Sequence, residues 1–281
     1  MSHICVGVRG SWRVCLDREG YVVEEYAGRR RQVRRRLAKA IPYYGFGKYC
    51  RKCAHPLPRR WNKCLAHDDG LEHLDATLAV GLYYTQRVQE QLKWLGLHQN
   101  LLTSYILELK QRRRAFQVLA ASMALILKAK VYEIEPKDID IITFVPKHKD
   151  ELKVDIEDSE HYNQAELLAN EVARYLEKRL VNVIYKTQPL SLAGRSIQER
   201  YQKSYQVYKL QENAEHVIRD KRVLLVDDVR TSGATGNVIA RLLKQAGAKN
   251  VYLLVAGRAT HYETLKEILE EYGDNPEFQE Y

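Results

Sequence analysis

Long apolar runs are missing from this chain. The longest, Ala115 to Leu127, is broken by Gln117 and Ser122, and none reaches the roughly 18 residues a membrane-spanning helix needs. The opening MSHICVGVRG lacks the apolar stretch of a secretory leader. No G-x-x-x-x-G-K-[ST] occurs, which removes the P-loop nucleotidases. There is no internal repeat, and the only biased tract is a cluster of arginines. With 281 residues, 45% of them hydrophobic, these absences lead to the expectation of a soluble, cytoplasmic protein of about two domains with a sizeable core.

Acid is scarce at the front. Residues 1–67 hold 16 Lys+Arg against 4 Asp+Glu, a net of +12, so the rest of the chain carries −3 of the total +9. Such asymmetry predicts a basic module that meets polyanions, joined to a near-neutral body. Residues 3–26 alternate between turns at Gly10 and Gly20 and predict two or three short antiparallel strands. GRRRQVRRRLAKAIP follows and predicts a short basic helix ending near Pro42. Arg29, Arg30, Arg31, Arg34, Arg35 and Arg36, with Tyr43, Tyr44, Phe46, Tyr49 and Trp61 nearby, suit a surface for single-stranded nucleic acid. Guanidinium groups meet phosphates there, and aromatic rings stack on bases. Arg112 to Arg114 would extend the track. Cys5 and Cys15 flank Gly10 evenly, and in a reducing compartment buried thiols are expected over a disulfide.

Cys50-x2-Cys53-x10-Cys64-x2-His67 has the spacing of a four-ligand zinc knuckle. Three thiolates and an imidazole fill a tetrahedron and leave no open position, so a structural Zn²⁺ is expected. His55 competes with His67 for the fourth place. Residues 69–97 carry no clear assignment. Asn100 to Lys130 has apolar positions at helical spacing, in one helix or two.

Beyond residue 131, strands alternate with helices. IDIITFVP, VNVIYK, RVLLVD and NVYLLVAG read as buried strands, and Tyr162–Leu180, Ala234–Gln245 and Thr264–Tyr272 read as helices. Gln188 to Glu215 is polar, a candidate hood. This pattern predicts an α/β domain with a parallel sheet covered on both faces. In such sheets ligands bind beyond the carboxyl ends of the strands. VLLVDDVRTSGAT puts Asp227 and Asp228 at one such end, followed by a turn of small and hydroxylated residues opening a helix. A helix start offers free N–H groups and a positive dipole end to a phosphate. Gly233 permits close backbone approach, and Thr231, Ser232 and Thr235 add hydroxyls. Two acids for hydroxyl groups and a turn for an anion together suit a ribose 5-phosphate.

Val223 to Thr235 resembles the phosphoribosyl-pyrophosphate (PRPP) signature of type I phosphoribosyltransferases. The V-P before a basic loop, the run Tyr162, Asn163, Gln164, Ala165, Leu168, Ala169, and the cysteine knuckle upstream resemble the ComF family, the competence-associated members of that group, over about Cys50 to Arg258. The resemblance implies a type I phosphoribosyltransferase fold, with Asp227 and Asp228 on the ribose hydroxyls. It puts Arg230, Thr231, Ser232, Gly233, Ala234 and Thr235 on the 5-phosphate. Pro146, Lys147, His148 and Lys149 become the pyrophosphate loop, with Mg²⁺ accompanying PRPP. Thr187, Gln188 and Arg200 fall loosely in the family's hood segment, and Lys110 in its helical connector. Thr231 stands where enzymes of 6-oxopurines carry an acid, which disfavours hypoxanthine and guanine. The stretch between Pro146 and Asn163 is longer and more acidic than the family's, and Glu160-His161 replaces its Arg-Gly. The expected organisation is a basic extension (1–45), a zinc knuckle (46–70), a helical connector (71–130) and a phosphoribosyltransferase domain (131–281). The alternative role the resemblance implies is an accessory protein handling single-stranded DNA, with the PRPP site as sensor or vestige.

Overall fold

The computed structural model describes residues 4–28, 32–44, 48–57, 61–64, 66–67, 69–94, 99–157, 159–191 and 194–272. Arg29, Arg30, Arg31 and Phe46 lie outside these. The chain opens with four antiparallel strands in sequential order, β1 (Cys5–Gly7), β2 (Trp12–Leu16), β3 (Tyr21–Ala27) and β4 (Gln32–Lys39). The early hairpins match expectation, but the arginine run is a strand rather than a helix. Its partner explains why: Arg35 and Arg34 lie opposite Glu24 and Glu25 of β3, so opposite charges pair across the ladder. Leu37 and Ala38 bury the end of β4. Cys5 faces Cys15 across β1 and β2, and the two are joined in a disulfide, which corrects the expectation of free thiols.

Β5 (Ala76–Tyr84) follows, buried along its whole length. A continuously apolar strand is the signature of a parallel sheet covered on both sides, and β5 is an edge of the main sheet although it lies in the stretch expected to be a connector. Gly81 is what lets β4 close on it, because a β-carbon there would lie 2.6 Å from that of Ala38. The N-terminal sheet thus shares one core with the body, through Val14, Val22, Leu37 and Ala38. Helices α1 (Gln86–Trp94), α2 (Leu101–Leu109) and α3 (Phe116–Lys128) come next. The Asn100 side chain caps α2 by accepting from the Thr103 N–H at 2.9 Å.

β6 (Ile141–Phe144) leads through a short hairpin, β7 (Lys153–Val154) and β8 (His161–Tyr162), to α4 (Gln164–Leu176) and β9 (Arg179–Leu180). VNVIYK does not form the single strand expected. Only Arg179 and Leu180 extend the sheet, and β10 (Ile184–Lys186) leaves it to pair with β11 (Tyr208–Leu210) across α5 (Ile197–Val207). That excursion is the hood. Then come α6 (Ala214–Ile218), β12 (Arg222–Arg230), α7 (Ala234–Gln245), β13 (Asn250–Thr260) and α8 (Tyr262–Tyr272).

The main sheet is parallel, in the order β5-β13-β12-β6-β9. From β6 the chain crosses over to β9 on one side, and from β12 to β13 on the other. Right-handed crossovers running in opposite directions put α4 and α7 on opposite faces. The boundary between β6 and β12 is therefore the switch point of the fold, where a crevice opens beyond the strand ends.

Candidate active site

The register of the two central strands fixes what meets in that crevice. Val226 pairs with Phe144, and the Val145 N–H donates to the Val226 carbonyl at 3.0 Å. Asp227 and Asp228 leave β12 as the chain after Val145 turns into Pro146–Lys149. Each carboxylate is steadied by the next backbone N–H, Asp227 by that of Asp228 at 2.9 Å and Asp228 by that of Val229 at 2.8 Å. Burial, and then the charge of Asp228, push the Asp227 carboxyl up to about 8, against the attraction of Lys147. Lys110, just past α2, brings its Nζ to 3.8 Å from Asp228.

The residues around this pair are set by the Tyr162-Asn163 stretch. The Tyr162 hydroxyl donates to the Leu109 carbonyl at 2.8 Å, fixing the helix end that carries Lys110. Asn163 caps α4 by accepting from the Ala165 N–H and donates to the Val145 carbonyl at 3.0 Å, at the root of the basic loop. Lys147 is exposed, and its charge is felt at Asp227 and Lys186. His148 is a local cap, its Nδ1 accepting from the Asp150 N–H at 3.3 Å. Glu151 ties this loop to the hood: it accepts from the His148 N–H at 3.1 Å, from the Leu190 N–H at 2.8 Å and from the Lys186 Nζ at 2.6 Å. The acidic stretch after it has its own partners. Asp155, Glu157 and Glu160 hold Arg113 and Arg114, with Arg112 also near Glu157. Arg112 to Arg114 thus each have an acidic partner in the loop.

Beyond Asp228, a cleft is lined by Thr231, Ser232, Gly233, Ala234 and Thr235, with Arg200 of the hood over it. Gly233 precedes α7 at φ +82°, where L side chains are strained. Arg230 borders the same cleft. Its guanidinium turns inward, donating to Glu72 at 2.8 Å and to the Thr77 hydroxyl at 3.1 Å, and so supports the turn from behind with its charge paired. A β-carbon on Gly233 would meet that guanidinium at 2.5 Å. Gly233→Ala is therefore expected to cost about 1–3 kcal/mol through backbone strain and displacement of a buried ion pair, read as a lowered midpoint in urea unfolding. Glu72, Glu151 and the buried Tyr208, whose hydroxyl burial pushes up, carried no local signal in the sequence. They reach the site only through long-range contacts.

The cysteine knuckle assembles as its spacing predicts. Cys50, Cys53, Cys64 and His67 place their ligand atoms within 4.8 Å of one another. Cys53 Sγ lies 3.6 Å from Cys64 Sγ, and Cys50 Sγ 3.7 Å from His67 Nδ1. A tetrahedral metal with bonds of about 2.0–2.3 Å sets edges of about 3.4–3.8 Å, so the cluster fits one. Hydrogen bonding with Cys53 pushes the Cys50 thiol up to about 11, and Cys50 and Cys53 push Cys64 up, while Cys50 and Cys64 draw Cys53 down. His55 is outside the cluster. It is buried, its Nδ1 lies 2.7 Å from the Pro56 carbonyl, and it stacks on Trp61. Burial pushes it down to about 4.

The basic strand is less free than its composition suggests. Arg34 pairs with Asp17 and Glu25, Arg36 with Glu19, and Arg13 with Glu25. Tyr44 is buried, Tyr49 packs edge-on against Tyr132, and Trp61 is taken by His55, so these rings serve packing.

Residues 162–278 match the phosphoribosyl transferase domain family. That span holds Asn163, the acid pair and the turn, and stops short of the 146–149 loop. Competence protein F of Haemophilus influenzae is 33% identical over 100 residues, which cover 35% of this chain and 43% of that protein; the chain thus spans less than half the length of this relative. Among solved structures, an adenine phosphoribosyltransferase superimposes with a TM-score of 0.35 at 19% identity, covering 64% of this chain and 94% of that one. A hypoxanthine phosphoribosyltransferase from Staphylococcus aureus gives 0.32 at 11%, covering 51% and 73%. No helix among the described residues is long and apolar enough to cross a membrane.

Proposed function

From the likeness of residues 162–278 to the phosphoribosyl transferase domain family and of the chain to a ComF-like relative, we propose that this ComF-like protein of the type I phosphoribosyltransferase group binds PRPP in the crevice between β6 and β12. It then transfers the phosphoribosyl group to a nitrogen acceptor with release of pyrophosphate. The observation that carries this reading is the meeting, at the fold's switch point, of two adjacent carboxylates with a glycine-bearing turn on one side and a cationic loop on the other.

Each residue has a task in that reaction. Asp227 and Asp228 accept from the ribose hydroxyls and favour the positive charge that builds on the ring as its bond to pyrophosphate breaks. The N–H groups and hydroxyls of Thr231 to Thr235 hold the 5-phosphate at the start of α7. Pro146 to Lys149 face the leaving pyrophosphate, with Lys147 as the exposed cation. The hood, anchored by Glu151 and carrying Arg200, excludes water that would otherwise hydrolyse PRPP. The two carboxylates are also a donor set that Mg²⁺ shares with substrate phosphates; bound there, Mg²⁺ supplies neutralising charge to the leaving group. Zn²⁺ is the metal whose ligand preferences match three thiolates and an imidazole, and its role is structural. The segments 1–45, 46–70, 71–130 and 131–281 are proposed as functional divisions of a chain whose core is continuous. Isothermal calorimetry with PRPP and Mg²⁺, followed by a screen of nucleobases and amines for pyrophosphate release, tests the reading. Absence of PRPP binding refutes it, and binding without release in any reaction reduces the protein to a sensor.

A second reading, single-stranded nucleic acid at β4, is favoured by a cleft of about 260 Å³ lined by Arg35, Arg36, Gln99, Leu101 and Ser104. Since most described arginines nearby are paired with acids, only two or three phosphates are expected to be engaged. Log affinity should then fall with log salt at a slope of about −2, measured by fluorescence anisotropy of a labelled oligonucleotide, with Arg35→Gln weakening binding several-fold. No binding at low salt removes this reading.

A further inference from the structure

We infer that Arg258 couples the Cys50–Cys53–Cys64–His67 cluster to the turn at 231–233, so that metal held by the cluster and phosphate held by the turn strengthen each other's binding. The inference rests on the phosphate-binding reading of the turn given above.

Arg258 stands on β13 directly beside Arg230, the last residue of β12. Its side chain is among the largest fully buried ones in the protein, with 2% exposure. From Nη1 it donates to the carbonyls of Thr231 at 2.8 Å, Ala259 at 2.8 Å and Arg230 at 3.1 Å. A trans peptide points its C=O and its N–H in opposite directions. Holding the Arg230 and Thr231 carbonyls from behind therefore turns the N–H groups of Thr231 and Ser232 the other way, the side from which an anion would be gripped. The charges that Cys53 and Cys64 carry as thiolates act on the same guanidinium and favour its charged form.

The charge balance makes this interaction consequential. A buried cation is costly unless a counter-charge accompanies it. Among the described residues Arg258 forms no ion pair with a carboxylate, and its nearest cationic neighbour, Arg230, is occupied with Glu72. Three thiolates and one neutral imidazole around a divalent ion sum to one negative charge, whose field reaches the guanidinium. The metal-loaded cluster is thus the counterion of the residue that shapes the turn. A second strand of contacts runs parallel to it. The Thr77 N–H donates to the Arg51 carbonyl at 2.8 Å and its hydroxyl to the Lys52 carbonyl at 2.6 Å, both between the ligands Cys50 and Cys53. Thr77 in turn receives Arg230, on which Gly233 rests. Cluster and turn are therefore joined by a contiguous network rather than by proximity alone.

Coupling between binding sites is reciprocal, which permits a test on the unaltered full-length protein. Zinc affinity would be measured by competition with a chromogenic chelator, with and without saturating ribose 5-phosphate. Ribose 5-phosphate affinity would be measured by calorimetry on zinc-loaded and zinc-stripped protein. We expect ribose 5-phosphate to raise zinc affinity about 5- to 20-fold and zinc to raise ribose 5-phosphate affinity by the same factor. Arg258→Lys should retain part of the effect and Arg258→Met none. If ribose 5-phosphate binds but leaves zinc affinity unchanged, the coupling is wrong and the site reading stands. If ribose 5-phosphate does not bind zinc-loaded protein at all, both fail. If Arg258→Met folds and keeps the full factor, Arg258 is not the link.

Discussion

Affinity for ribose 5-phosphate is expected to rise about fivefold between pH 7 and about 8 and to level off above, a slope that Asp227→Asn abolishes together with at least a hundredfold of affinity at pH 8. The cause is the proton that burial and Asp228 keep on Asp227 in the free protein up to about pH 8. Hydroxyl groups and a cationic transition state call for the ionised carboxylate, so binding must expel that proton, and lowering the pH from 8 to 7 costs the complex about 1 kcal/mol. The window starts at pH 7 because a phosphate monoester titrates near pH 6. Calorimetry in buffers of different ionisation enthalpy should show close to one proton released at pH 7, and a flat profile would remove Asp227 from the grip.

The same group gives an opposite effect on stability. A carboxyl whose pKa is raised in the folded state holds a proton that the unfolded chain has already lost. Its contribution to stability therefore declines as pH climbs from about 4 to about 8. Asp227→Asn removes that decline. The variant should match the parent near pH 4 and exceed it increasingly as pH rises to 8, seen as a higher melting temperature. A variant that gains stability while losing ligand is what a functional carboxylate held in an unfavourable place produces.

The largest loss of stability is expected from Arg230→Met. Arg230 and Glu72 have side-chain exposures of 1% and 3%, and one Glu72 oxygen already lacks a partner. Removing the guanidinium strands a buried carboxylate, which costs about 3–5 kcal/mol. Adding Glu72→Gln should recover most of it, because a neutral amide needs no counterion. Urea midpoints of the two single variants and the double complete the cycle. Additive losses would mean that the pair does not act as one unit. Ligand affinity should fall in Arg230→Met even where the protein remains folded, since Gly233 loses the surface it rests on.

Much of this site is legible in one line of residues. A buried strand ending on two acids, a small-residue turn and a helix start form a local pattern, and each part follows from short-range sterics and hydrogen bonding. The cysteine knuckle is also local, because ligands spaced two residues apart must converge on one ion. The arginine run was not legible. Arginine is a good helix former in isolation, and only the acids of the neighbouring strand, brought alongside by the antiparallel pairing of β3 with β4, make the extended form the better one. Strand β5 was missed for a related reason. An apolar segment without alternation does not declare its partner, and β5 pairs with β13, far away in sequence.

The order of residues alone therefore determined the chemistry at the mouth of the sheet: where carboxylates, hydroxyls, thiols and a glycine would fall. The tertiary structure decided which charges are free to act. It turned Arg230 and Arg258 inward, matched Arg112 to Arg114 with an acidic loop, spent most of the described basic strand on its own acids, and left Lys110 and Lys147 near the carboxylates. Charge interactions depend on distance and burial, and neither can be read from a chain until its distant parts have met.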